Sequence, residues 1–228
     1  MKLAGIQFQY SLKIYDFDQN DLEISLGDFV LVETIQGQEI GRVVYLNKKK
    51  KTSDEDARPI LRKATLEDRE KMKELKEEAA TYLPDFEKQV KSFGLKMRPL
   101  AADISVDEKR LTFYFMAESR IDFRDMVREL AREYKKQIRL LQVGARDGAR
   151  IVGGYGRCGL VVCCQRFLTD LESITMDMAR NQNLAAKSGS KISGICGKLM
   201  CCLAYETDDK NKIEKEMEKE IDAAQSRD

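Results

Sequence analysis

The chain has 228 residues, of which 35% are charged, but its 40 Lys and Arg residues almost balance its 39 Asp and Glu residues. With so little net charge the protein is not an obvious polyanion binder, so nucleic-acid affinity would depend on local basic patches. The sequence contains no histidine, which excludes catalytic and metal sites that depend on imidazole. The length predicts one or two compact domains.

The N-terminal segment lacks the apolar centre of a secretory signal peptide. No stretch approaches the roughly 18–20 apolar residues that a membrane-spanning helix needs. We therefore expect a cytoplasmic protein with no membrane insertion, in which thiols stay reduced. Six cysteines in that compartment indicate metal or redox chemistry before structural disulfides.

The first part of the chain is predicted to be a β-rich N-terminal module over residues 1–57. Two β-branched runs, Asp28–Thr34 and Ile40–Leu46, flank a glycine-containing turn and predict a hairpin. The basic run Lys48–Lys51 and the polar stretch Thr52–Arg58 are expected to form a loop.

A helical hairpin is predicted next. Thr65 followed by Asp68 resembles a capping box, which would open a charged helix that ends near Tyr82. Pro84 is expected to break the helix and begin a second one, which Gly94 would end.

A strand–helix–strand pattern follows the hairpin. Leu111–Met116 and Ile138–Val143 are predicted strands, and Asp122–Tyr134 between them has apolar residues at helical spacing. This pattern is typical of a βαβ unit or half of a ferredoxin-like fold. The predicted fold class is therefore α+β, with the hairpin and βαβ unit over 58–143, a cysteine-rich module over 144–206 and a charged tail over 207–228.

A repeat holds every cysteine of the chain. Cys158-Gly-x-x-x-Cys163-Cys164 matches Cys196-Gly-x-x-x-Cys201-Cys202, and equivalent positions lie 38 residues apart. One interpretation treats the cysteines as small buried apolar residues, but this does not explain two matching triplets. Disulfides are a second interpretation, although adjacent cysteines have Cα atoms about 3.8 Å apart, below the usual disulfide range of about 4.4–6.8 Å.

Metal ligation is the interpretation that the pattern favours. Without histidine the ligand shell would be all thiolate, which suits zinc, copper(I) or iron–sulfur clusters. Structural zinc closes at about four ligands, and each 4Fe–4S cluster takes about four cysteines. Six thiolates are too many for one such site and too few for two, so either another chain supplies ligands or two cysteines have another role.

The cysteine repeat and its surroundings resemble the bacterial YaaT/RicT family, whose members carry a PSP-type C-terminal domain. The likeness is most specific between Gly153 and Glu206, and weaker matches reach back to Gly27. The segments that carry it are Gly27–Thr34, Arg120–Arg124, Gln142–Asp147, Gly153–Cys158, Cys163–Cys164, Ile174–Ala179, Asn181–Leu184 and Lys191–Glu206.

The resemblance implies a PSP-type domain over 58–143 and a regulatory iron–sulfur subunit rather than an enzyme. Such a subunit would form a complex with two small partner proteins that share ligation of 4Fe–4S clusters. The complex would act with RNase Y in mRNA maturation and in sporulation, competence and biofilm development. The family's cysteines map onto Cys158, Cys163, Cys164, Cys196, Cys201 and Cys202.

Two other functions remain open from the residues alone. One is a structural zinc protein that binds RNA or another protein directly, and the other is a thiol-redox protein that uses the vicinal cysteines.

Three further features are weak site candidates. The bases of Lys48–Lys51 and Arg132–Arg150 are expected to be solvated surface, with RNA contact only weakly supported. Gly153–Gly156 lacks a nucleotide-loop pattern and is expected to serve the metal loop. Asp103, Asp107 and Glu108 are expected to lie in a solvated turn.

Overall fold

The computed structural model describes residues 2–8, 10, 14–34, 37–48, 57–168, 173–184, 189–204 and 206. The chain forms two compact units, Met1–Val152 and Gly153–Asp228. Helices and strands are mixed, which confirms the α+β class. The predicted tail over 207–228, residues 49–51 of the basic run and residues 52–56 of the predicted loop Thr52–Arg58 lie outside the described residues.

The first unit begins with a five-stranded antiparallel sheet in the order β2-β1-β4-β3-β5. Alternate side chains of its strands, among them Val30 and Val32, point into a buried core. The pairing of Thr34 with Gly37 confirms the predicted hairpin. The fifth strand of the sheet, Ile60–Lys63, lies beyond residue 57, so the sheet extends past the predicted end of the β-rich module. The strands are β1 Leu3–Gln7, β2 Ile14–Asp18, β3 Phe29–Thr34, β4 Gly37–Lys48 and β5 Ile60–Lys63.

The predicted helical hairpin is instead one continuous helix, α1, over Leu66–Ser92, with Pro84 inside it. A proline within a helix costs about 3 kcal/mol, but the buried residues of α1 lie on both sides of Pro84. Burial of each large apolar side chain contributes about 1.5–3 kcal/mol, and only an unbroken helix keeps this stripe on one face. The tertiary contacts therefore override the proline signal. The stripe consists of Leu75, Ala79, Phe86 and Val90.

A second, three-stranded sheet has the order β6-β7-β8. Its strands are β6 Arg98–Ile104, β7 Arg110–Met116 and β8 Gln137–Gln142, and helix α2 covers Arg124–Tyr134. Strands β7 and β8 are parallel and joined through α2, which confirms the predicted βαβ unit. Helices α1 and α2 share a core with one face of this sheet.

Helix α3, Ala145–Val152, ends the first unit and packs on β6 and β7, although the sequence placed it with the cysteine-rich module. Short helices characterise the second unit: α4 Cys163–Arg166, α5 Met176–Asn181 and α6 Gly189–Ile192. Ala179, Ile192 and Leu203 form its small core. Within the described ranges, no helix combines the length and apolar character needed to cross a membrane.

Candidate metal centre

The first cysteine loop is a tight turn closed by backbone hydrogen bonds. Tyr155 and Val161 form an antiparallel bridge, and the amide of Gly156 donates to the carbonyl of Leu160 at 2.8 Å. This closure places Cys158 at the tip of the turn, where its side chain is exposed.

The second cysteine loop repeats this structure 38 residues later. Ser193 and Leu199 form the equivalent bridge, and the amide of Gly194 donates to the carbonyl of Lys198 at 2.8 Å. Cys196 therefore occupies the position that corresponds to the tip of the first loop. The sequence repeat is thus a repeat of backbone conformation as well.

The glycine after each tip cysteine has a left-handed backbone that the turn requires. Gly159 and Gly197 both have φ of 76°, a region that residues with a Cβ avoid. Their amides donate at 3.0 Å to the carbonyls of Gly156 and Gly194. The Cys-Gly pair is therefore needed to reverse the chain at both tips.

After each turn, the adjacent cysteines lead into a short helical segment. Cys163 and Cys164 begin α4, and Cys202 begins the segment that continues through Ala204. Cys164 is buried, whereas Cys163, Cys201 and Cys202 are partly buried. All six cysteines are described, and none forms a disulfide.

The two loops approach one another within the second unit. Burial raises the pKa of the Cys202 thiol, and the charges of Glu206 and Cys163 raise it further. A methyl group placed on Gly154, just before the first turn, would lie 3.4 Å from Cδ1 of Ile195 in the second turn. The structure therefore brings thiols of both repeats near one another.

The thiols do not form a ready-made metal site. Across the residues that are described, no three Cys, Asp or Glu side chains are arranged so that they could hold a metal ion. The donor set nevertheless suits a soft metal, because the chain offers thiols and has no histidine.

Large apolar side chains are exposed around the loops, a feature that the sequence reasoning missed. The exposed fractions are 70% for Tyr155, 57% for Leu160, 52% for Phe167 and 51% for Ile195. In the second unit, Gly154, beside Tyr155, approaches Ile195, which brings exposed apolar side chains of both loops into one region, as at many interaction surfaces. Their positions within and beside the two cysteine motifs are the sequence signal that could have revealed them.

The expectation of a solvated carboxylate turn is wrong for Asp103. Asp107 and Glu108 are exposed in the turn between β6 and β7, but Asp103 lies within β6 and is partly buried. Burial, with the nearby charge of Glu39, raises the pKa of Asp103 to about 6. Local sequence patterns could not reveal the effect of Glu39 on Asp103, because Glu39 belongs to the other sheet.

The remaining weak candidates have ordinary structural explanations. The carbonyl of Gly154 accepts a hydrogen bond from Val162 at 3.1 Å, so the glycine run is part of the first cysteine loop. Arg139, Arg146 and Arg150 are partly buried, so the bases of Arg132–Arg150 are not all on solvated surface as expected.

Two family profiles match the sequence. The PSP1 C-terminal conserved region matches residues 58–143, which span β5 to β8. The third domain of PSP1-like proteins matches residues 173–217, which include the second cysteine loop.

Three curated relatives show similarity of different extent. The stage 0 sporulation protein YaaT of Bacillus subtilis is 39% identical over 209 residues, which cover 91% of this chain and 76% of YaaT. An uncharacterized protein of Schizosaccharomyces pombe is 28% identical over 58% of this chain and 22% of its own length. Protein PSP1 of Saccharomyces cerevisiae is 43% identical over 22% of this chain and 6% of its own length.

No solved structure matches the chain. The similarity to YaaT covers 209 of the 228 residues, so at most 19 lie outside it, and both cysteine loops, at 158–164 and 196–202, fall within it. The PSP1 profile covers the central βαβ unit. The chain therefore belongs to the YaaT family and carries the PSP1 C-terminal conserved region.

Proposed function

We propose that this protein is a non-catalytic adaptor that binds 4Fe–4S clusters through its cysteine loops within a cytoplasmic multi-protein complex. The observation that carries the proposal is the repeated loop, in which the same hydrogen bonds hold Cys158 and Cys196 at equivalent tips. A backbone conformation built twice around the same cysteine spacing supports a common role for the two loops.

The ligands of the clusters would be Cys158, Cys163, Cys164, Cys196, Cys201 and Cys202. Iron–sulfur clusters are held by cysteine thiolates, about four for each cluster, and this unit offers six thiols. Because the thiols are not already grouped as a site, the loops would have to close on the cluster as it binds. Coupling of this kind between metal binding and folding is common.

The complex would contain two small partner proteins that share ligation of the clusters. Six thiolates leave a second cluster about two ligands short, and a partner can supply them. The exposed Tyr155, Leu160 and Ile195 next to the tip cysteines provide apolar area for such a partner.

The complex would promote RNase Y-dependent mRNA maturation and so regulate development, including sporulation, competence and biofilm formation. The name of the Bacillus subtilis relative, a stage 0 sporulation protein, supports the developmental part of this proposal. RNA contact by the chain itself is a minor part of the proposal, because its basic residues are not interleaved with aromatic ones.

Anaerobic purification of the chain, alone and with co-purifying partners, tests the proposal. We expect a brown protein with broad visible absorbance and matching amounts of iron and acid-labile sulfide. Cys163→Ser and Cys201→Ser should lower iron content and partner recovery together. Lys198→Ala, an exposed change within the second turn, is the matched control and should preserve both.

Other outcomes distinguish the alternatives. A colourless protein with stoichiometric zinc, alone and with partners, would replace the cluster with a structural zinc site. A metal-free protein in which one low-pKa thiol reacts stoichiometrically would favour a thiol-redox function. Partner binding that survives the loss of iron would contradict the adaptor role of the cluster.

A further inference from the structure

The three-stranded sheet of the first unit has two chemically different faces. Leu111, Phe113 and Phe115 of β7 are buried, and Leu111 and Phe113 share a core with α1 and α2. Because side chains alternate along a strand, Arg110 and Tyr114 lie on the opposite face. This second face is only partly buried and carries polar groups.

The N-terminal sheet meets this second face. The rings of Tyr10, which lies after β1, and Tyr114 are 4.9 Å apart between centroids. In the hairpin of β3 and β4, a methyl group on Gly37 would lie 3.5 Å from Oδ2 of Asp107 and 4.0 Å from a guanidinium nitrogen of Arg110. The two sheets of the unit are therefore in contact here.

Charged residues from three strands gather at this contact. The strand register places Asp103 of β6 opposite Thr112 of β7, and Thr112 opposite Arg139 of β8, so the three form one row. Glu39 belongs to β4, and its carboxylate accepts a hydrogen bond from the Thr34 hydroxyl at 3.5 Å. Glu39 lies two residues after Gly37 on β4, so its side chain is on the face of the hairpin that meets Asp107 and Arg110.

The electrostatics of these groups are coupled across the contact. Burial raises the pKa of Asp103, the charge of Glu39 raises it further, and Lys76 of α1 opposes the rise. Burial also raises the pKa of Tyr114, with contributions from Asp103 and Glu39. For Tyr10 the cause is again burial, followed by Asp103.

Asp103 is the member of the carboxyl pair that takes up a proton first. Glu39 has a pKa raised by burial, but Arg110, the Thr34 hydroxyl and Arg139 all favour its ionised form. For Asp103, only Lys76 and one backbone hydrogen bond favour the ionised carboxylate. When two carboxyl groups repel one another, the less supported one is protonated.

We propose that Asp103 and Glu39 form a proton-responsive contact through which the two sheets of the first unit pack more stably in mildly acidic than in neutral solution. At neutral pH two carboxylates oppose one another in a partly buried setting. Protonation of Asp103 removes that repulsion and turns its carboxyl into a hydrogen-bond donor.

Stability should rise as the pH falls because the folded protein binds a proton on Asp103 more tightly than the unfolded chain does. The folded protein holds a proton on Asp103 up to a pH of about 6, whereas the unfolded chain loses it near pH 4. Folding is therefore favoured more as the pH falls through 6. From these two values, the folding equilibrium constant should rise about tenfold between pH 7.5 and 5 through this group.

Urea unfolding of the full chain at pH 7.5 and 5.0, combined with amide hydrogen exchange, tests the proposal. We expect the wild type to gain stability at pH 5.0. After correction for intrinsic exchange rates, slower exchange should appear in the β3–β4 hairpin and in β6. Asp103→Asn should abolish the gain, and Glu39→Gln should reduce it.

Asp122→Asn is the matched control, because this exposed carboxyl precedes α2, away from the contact between the sheets, and its pKa is lowered chiefly by the Arg124 guanidinium. This variant should keep the wild-type gain between pH 7.5 and 5.0. An equal gain in wild type and Asp103→Asn, or no gain in wild type, would overturn the proposal. If Asp103→Asn fails to fold, an undiminished gain in Glu39→Gln would overturn it.

Discussion

Phe86 of helix α1 stacks on Phe113 of strand β7, with ring centroids 4.1 Å apart and ring planes at 12°. Both side chains are fully buried in the core between the helix and the three-stranded sheet. Phe86 follows Pro84, so this contact holds the half of α1 that a helix break would have redirected. The stack thus explains why the helix continues.

Phe86→Ala should strongly destabilise the first unit. Removal of a buried phenyl ring leaves a cavity and typically costs about 3–5 kcal/mol of unfolding free energy. Urea denaturation followed by far-UV circular dichroism measures the change. Leu66→Ala, at an exposed position of the same helix, should change stability by no more than about 0.5 kcal/mol. Equal effects of the two substitutions would contradict the packing described.

Pro84→Ala should stabilise the protein. Pro84 is exposed, so the substitution removes no core contact, and it restores the amide that can bond to the carbonyl of Ala80. An interior proline destabilises a helix by up to about 3 kcal/mol. We therefore expect the unfolding free energy to rise by about 1–3 kcal/mol. Differential scanning calorimetry provides the measurement.

Lys88→Ala, also exposed on α1, is the control for Pro84→Ala and should shift the melting temperature little. A loss of stability in Pro84→Ala would indicate that a turn at this position, as the sequence suggested, is part of the native fold.

Local patterns were sufficient to predict some of the regular elements but not strand β6 or the continuity of α1. The alternation in Leu111–Met116 and the apolar spacing of Asp122–Tyr134 specify a strand and a helix without long-range information, and the structure has both. The prediction failed at Pro84, where the local signal for a break was outweighed by Phe86 packing on a strand formed later in the chain.

The candidate site was predictable as a set of residues but not as a conformation. The repeat identified the cysteines, and the glycine after each tip cysteine indicated a tight turn. The charge of Cys163 acts on the pKa of Cys202, and this interaction between the two repeats is not encoded by spacing along the chain. The pairing of Glu39 with Asp103 was missed for the same reason, because it joins two different sheets.

The N-terminal cap of α1 should contribute to stability in a pH-dependent way. The amide of Asp68 donates to Oγ1 of Thr65 at 3.2 Å, and the amide of Thr65 donates to the Asp68 carboxylate at 2.8 Å. An ion pair with the Arg62 guanidinium, together with the Thr65 amide, holds the pKa of Asp68 well below its usual range. The ionised carboxylate is therefore the form that the folded protein favours.

Thr65→Ala should lower the unfolding free energy by about 0.5–2 kcal/mol, measured by urea denaturation at pH 7. A depressed pKa supplies stability above the unfolded value near pH 4, and this stability is lost as the pH falls below it. Asp68→Asn should therefore be less stable than wild type at pH 6 and approach it near pH 2. Thr81→Ala changes an exposed residue within the same helix and should have little effect. An equal loss of stability in Thr81→Ala and Thr65→Ala would show that the cap makes no special contribution.

The glycines at the loop tips give the sharpest test of the cysteine loops. Gly159 and Gly197 have φ of 76°, and no neighbouring atom lies within 4 Å of a methyl group placed on either. Alanine at these positions therefore meets no clash, and its cost is that of the left-handed backbone, about 1–2 kcal/mol. Gly159→Ala and Gly197→Ala should each lower the thermal stability of the second unit and speed the transfer of the metal proposed for the loops to a chelator.

Gly189→Ala is the matched control for these two variants, because Gly189 begins α6, has equally open space around it and does not have a positive φ. Alanine favours a helix over glycine by about 1 kcal/mol, so this variant should retain metal at least as well as wild type. Its thermal midpoint should therefore not fall, and its rate of metal loss to a chelator should not rise, in contrast to the tip variants. If Gly159→Ala and Gly189→Ala behave alike, the left-handed turn does not hold the cysteine tips in place.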